Sequence, residues 1–93
     1  MVLLTCQVDL HLPESRSLKD KRRVVQSLKE RIQSRFNVSV AEVEYQDLWQ
    51  RCTLAAAVVS TATDHAHQVL DSLVRFVEGD LRVQLLDYIV ETH

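Results

Sequence analysis

Five basic side chains fall within eight positions of this chain: Arg16, Lys19, Lys21, Arg22 and Arg23. With Lys29, Arg31 and Arg35 they bring residues 16–35 to eight bases against two acids, net +6, while residues 36–93 carry three bases against nine acids, net −6. The whole chain carries only −2. Bases at this density can grip phosphates or another anion even when the molecule as a whole does not attract one. On a helix beginning near Ser17 they also crowd the positive end of the dipole, where stability alone would favour Asp and Glu. That placement points to an anionic partner, with nucleic-acid phosphate the leading candidate.

Other residue types offer less. His65 and His67 are two apart, about 200° around a helix, so they cannot share a metal as an i, i+4 pair does, and His11 and His93 have no Cys or carboxylate cluster to join. No metal or cofactor is expected. Cys6 lies in an apolar strand pattern with no neighbouring base in sequence to hold a thiolate, and with Cys52 it reads as a buried free thiol. A non-enzymatic protein is therefore expected. Trp49 is the sole tryptophan and sits close to Leu48, Tyr45 and Arg51. It reads either as a plug at the end of the core or as an interface anchor or stacking platform, and the sequence leaves both open.

The elements that must position these groups follow from periodicity. From Leu4 to Leu12 the even positions are apolar and the odd ones, Thr5, Gln7, Asp9 and His11, are polar, which predicts a half-buried strand stopped by Pro13. Ser17 followed by Asp20 resembles a capping box. Leu18, Val25, Leu28, Ile32 and Phe36 then recur at helical spacing, so the first helix should run to about Phe36. Val38–Tyr45 reads as a second strand whose apolar phase slips, predicting a bulge near Ala41. Cys52–Thr61 is a third strand with small or branched residues on both faces. Thr61 or Thr63 should cap a second helix bearing Ala66, Val69, Leu70, Leu73 and Val77, with Gly79 at its end. Arg82–Glu91 completes the set as a last strand.

The order β-α-β-β-α-β predicts an α+β fold, a ferredoxin-like sandwich with two helices on one face of a four-stranded antiparallel sheet. Residues 1–93 form one domain, because 46% hydrophobic and 26% charged residues with one Gly and one Pro leave no linker or low-complexity segment. Uncharged runs such as Cys52–Ala62 fall short of the roughly 18 apolar residues of a membrane helix, and no secretory leader is visible, so a cytoplasmic protein is expected. The third strand offers Ala55, Ala57 and Val59 on one face and Leu54, Ala56 and Val58 on the other. One apolar set must face away from the helices, and self-association, a dimer at its simplest, would cover it.

On a helix, Arg16, Lys19, Arg23 and Gln26 form one row opposite Leu28 and Ile32, flanked by Arg22 and Lys29. Arg16, Lys19, Arg22, Arg23 and Lys29 are thus the candidate phosphate contacts. Lys21 projects to the apolar side and should do no more than snorkel across the helix end. Because the open sheet face offers Thr5, Gln7, Asp9 and His11 rather than aromatics, base stacking on the sheet is disfavoured. RNA, if bound, should be held by its backbone.

Four segments carry a family resemblance: Arg16-Ser-Leu-Lys-Asp-Lys-Arg-Arg23, Arg35-Phe-Asn-Val-Ser-Val-Ala-Glu-Val43, Gln46-Asp-Leu-Trp-Gln-Arg51 and Arg75-Phe-Val-Glu78. Through them the chain resembles, over nearly its whole length, the YlxP-like family of small bacterial proteins, a domain of unknown function. Where that family usually has Lys-Glu-Lys and His-Gln-Asp, this chain has Lys19-Asp20-Lys21 and Tyr45-Gln46-Asp47. The resemblance implies a ferredoxin-like fold and no catalytic residue. It also implies gene neighbours for transcription elongation, translation initiation and ribosome binding, hence a role near RNA or the ribosome. A homo-oligomeric regulatory or scaffold domain, pairing through its sheet, is the alternative expectation.

Overall fold

The sheet takes its two faces from the alternation in its first strand. In the computed structural model, which describes every residue from Met1 to His93, β1 (Val2–His11) turns Leu4, Cys6, Val8 and Leu10 into the core and Thr5, Gln7, Asp9 and His11 away from it. It is followed by α1 (Leu18–Arg35), β2 (Ser39–Glu44), β3 (Arg51–Ser60), α2 (Thr63–Glu78) and β4 (Gln84–Thr92). The strands lie in the order β2-β3-β1-β4, every neighbouring pair antiparallel. This is the expected α+β ferredoxin-like sandwich.

Directly opposed residues share a face, so register decides what each strand buries. Leu4, Cys6, Val8 and Leu10 oppose Val58, Ala56, Leu54 and Cys52, which completes the strand layer of the core. Val59, Ala57, Ala55 and Thr53 oppose Leu3, Thr5, Gln7 and Asp9 on the other side. The helices close the core from one face only: Val25, Leu28 and Ile32 from α1, and Ala66, Leu70, Leu73, Val74 and Val77 from α2. Phe36 and Phe76 meet edge to face across the helix layer, centroids 5.8 Å apart.

Local chemistry sets most boundaries. Ser17 caps α1 by accepting from the Asp20 N–H (3.0 Å), while the Asp20 carboxylate accepts from the Arg16 N–H (3.2 Å), one residue further back than a capping box reaches. Arg16 consequently lies outside the helix. Neither Thr61 nor Thr63 caps α2; Ala62 occupies that position with no side-chain acceptor, its own N–H taken by Ser60 Oγ (3.1 Å). The bulge in β2 falls at Val43, two residues beyond the expected site, and a second register shift leaves Leu86 of β4 unpaired between Leu85 and Asp87. β4 starts at Gln84 rather than Arg82 because Asp80 binds the Arg82 N–H (2.9 Å) and turns the chain first. No helix is long and apolar enough to cross a membrane.

Candidate functional site

Alternating chain direction gathers three connections at one end of the molecule: residues 12–17 before α1, residues 45–50 between β2 and β3, and residues 79–83 before β4. The first two are tied together. Leu12 N–H donates to the Gln50 carbonyl (2.9 Å), and Gln50 Nε2 donates to the carbonyls of Pro13 (3.3 Å) and Ser15 (3.1 Å).

Arg16, Lys19, Arg22 and Arg23 surround the start of α1 at this end, all exposed, and none forms an ion pair. Lys29 is set apart. It continues the Arg22 row about 10 Å further along the axis, half-buried, also without an ion pair, and its charge reaches the buried Cys52 thiol. The remaining bases of residues 16–35 are engaged. Arg31 pairs with Asp80 (3.2 Å), and both Arg31 and Arg35 lie over the Phe76 ring at 5.2 and 5.0 Å.

Lys21 does not snorkel. Its side chain is 1% exposed, and its ammonium stands 2.8 Å from Glu42 Oε2 while donating to the Tyr45 carbonyl. Tyr45 has φ 63°, in the left-handed region that costs a residue with a side chain about 1 kcal/mol or more. Lys21 holds that residue by its carbonyl, and the Arg51 guanidinium covers its ring at 4.5 Å. Arg51 is therefore only part-buried, fixed over Tyr45, with its Nε enclosed and without a hydrogen-bond partner. Trp49 is 54% exposed and Leu48 49%, so the tryptophan does not plug the core. It projects from the connection that Lys21 and Gln50 anchor.

The third connection is pinned to α1. Asp80, with its side chain 4% exposed, accepts from Arg82 Nε (3.0 Å), Arg82 Nη2 (2.7 Å) and Arg31 Nη1 (3.2 Å), while Arg82 Nη1 donates to Ser27 Oγ (3.1 Å). Hydrogen bonds from Arg82 hold the Asp80 carboxyl below its ordinary pKa and raise that of Arg82. Between this connection and α1 lies an open cavity of about 300 Å³ lined by Leu12, Val24, Leu81, Glu14, Asp20 and Arg23, among others.

The sequence offered one signal for Lys21, its position in the apolar phase of the helix. It offered none for the long-range Asp80 clamp or the cavity. The thiols are poor nucleophiles. Burial pushes Cys6 up to about 11, helped by Asp71, and Cys52 up to about 12, helped by Glu42. No three His, Cys, Asp or Glu side chains converge as a metal site requires.

On the open side of the sheet, register places Asp9, Asp87, Glu44 and Glu91 on the same face as a shallow hollow of about 250 Å³ whose lining includes Ala41, Ala55 and Ala57. Over 63 residues, 68% of each chain, the sequence is 38% identical to the "Uncharacterized protein YlxP" of Bacillus subtilis (strain 168). Residues 3–90, nearly the whole folded unit, match the family described as "Protein of unknown function (DUF503)", and the chain belongs to that family.

Proposed function

We propose that the protein is a non-enzymatic RNA- or ribosome-associated binding module whose basic first helix contacts phosphates. One observation carries this reading: Arg16, Lys19, Arg22, Arg23 and Lys29 have no carboxylate partner within the fold, whereas Lys21, Arg31 and Arg82 are ion-paired. Unneutralised bases at the positive end of a helix gain most from a polyanion, whose bound counterions they release. The open sheet face favours the same division of labour. Its carboxylates repel phosphate, and its centre holds alanines where a base-stacking sheet would carry aromatics.

Charge reversal at Lys19→Glu with Arg22→Glu tests this. Both side chains are exposed, and acids suit an early helical turn, so folding should be unimpaired. Affinity for RNA should fall alike for all sequences, and the log–log salt dependence should flatten by about 0.7 for each phosphate of a single strand that is no longer neutralised. Asp71→Lys with Glu78→Lys on α2 should not weaken binding. Equal binding by wild type and the Lys19/Arg22 variant, or no binding at low salt, rejects the reading.

A second reading rests on the uncovered sheet: a homo-oligomeric scaffold pairing through the face that exposes Val59 and Ile89 beside the alanine hollow. In that case the basic helix is a solvated surface.

A further inference from the structure

Leu81 is 97% exposed although the backbone on either side of it is immobilised. Asp80 is clamped by Arg82 and Arg31, Arg82 is hydrogen-bonded to Ser27, and Val83 is buried. A leucine at the tip of this turn contributes nothing to the core, and a polar residue would serve the fold equally. The turn nevertheless places it in the lining of the cavity, together with Leu12 and Val24 and with Arg23, Glu14 and Asp20.

This mixture does not suit a phosphate, because two carboxylates are part of the lining. It suits a flat, mostly apolar group with hydrogen-bonding edges. Glu14 has no partner within the protein and Asp20 uses one oxygen on the Arg16 N–H, so both can accept from exocyclic or ring N–H groups, while Arg23 can donate to a ring acceptor. Arg23 belongs at once to the cavity and to the unpaired basic stripe. A volume of about 300 Å³ is at the small end of ligand pockets and admits one ring system rather than a larger molecule.

We propose that the cavity between α1 and residues 79–83 receives one unstacked base of a single-stranded RNA, with Leu81 against its face, while the neighbouring phosphates lie along the basic stripe. This rests on the phosphate-binding reading and makes single strands the preferred ligand, since a duplex has no base to offer.

The test compares fluorescence anisotropy of a labelled mixed-sequence single-stranded RNA and of its duplex, titrated at several salt concentrations with wild type, Leu81→Ala, Leu81→Met and the Lys19/Arg22 reversal. Leu81→Ala should lose about tenfold in single-strand affinity, the consequence of removing one leucine side chain packed on the base. Its salt slope and duplex affinity should not change, because no charge is removed, and Leu81→Met should bind nearly as wild type does. The Lys19/Arg22 reversal should instead flatten the salt slope on both ligands. If Leu81→Ala binds the single strand as tightly as wild type, or weakens duplex and single strand alike, the base-binding cavity is overturned while the stripe stands on its own result. If wild type binds neither RNA at low salt, both fall.

Discussion

A single buried ammonium shapes one end of this molecule. Lys21 sits where the helical phase calls for an apolar residue, and it is tolerated because Glu42 neutralises it and the Tyr45 carbonyl takes one of its protons in a hydrogen bond. Removing only the lysine would leave the part-buried Glu42, whose Oε2 is enclosed, without a counter-charge and free the left-handed Tyr45. Lys21→Met should therefore cost about 3 kcal/mol, read as a lower urea midpoint at unchanged m-value. Adding Glu42→Leu should recover most of that loss, since an apolar pair of similar volume is often as stable as the ion pair it replaces. A loss below about 1 kcal/mol in the single variant would show that the pair is not buried in solution.

Between elements, the Asp80 clamp joins the turn before β4 to α1 through Ser27 and Arg31. Its carboxyl is held below the ordinary value of 3.8, chiefly by hydrogen bonds from Arg82, so the folded state keeps it ionised where the unfolded chain would protonate it. The resulting stability is present above about pH 4 and is lost as pH falls through the depressed folded-state value. Asp80→Asn should thus be less stable than wild type by about 2 kcal/mol near neutrality, the worth of hydrogen bonds to a buried charge. The gap should narrow steadily as the pH is lowered below about 4. Denaturation series on either side of that value would check it, and a gap independent of pH would exclude the carboxylate charge as its source.

Across the whole molecule, the unpaired bases of α1 and the uncovered face of the sheet lie on different sides. The helix layer presents unpaired bases at one end, while the open sheet side presents Val59, Ile89 and the alanine hollow on the same face as Asp9, Glu44, Asp87 and Glu91. If two copies pair through this face, their carboxylates approach one another, so pairing should tighten with added salt while RNA binding weakens. Sedimentation at tens of micromolar, an order of magnitude suited to a modest interface, should show a dimer. Val59→Lys should dissociate it. A strictly monomeric protein at every salt concentration would reject the paired-sheet reading.

Periodicity and cap chemistry act within a few residues, and these the sequence by itself determined. The alternation of β1, the apolar stripes of both helices, the Ser17–Asp20 cap and the crowding of bases near residue 20 all survive in the fold. Six elements in that order allow few antiparallel arrangements, so the sandwich was legible as well. What joins residues distant in the chain was not. Only tertiary structure decided that Lys21 would meet Glu42 and Tyr45, that Trp49 would stay half in solvent, and that Arg31 would be consumed by Asp80 while Arg22 and Arg23 remained unpaired. The helix wheel gives each base a direction but not a neighbour. Whether a charge is neutralised depends on which segment arrives beside it, and that is set by sheet order and by register shifts, one at Val43 that the slipped apolar phase of β2 signalled two residues away and one at Leu86 that no local pattern encodes.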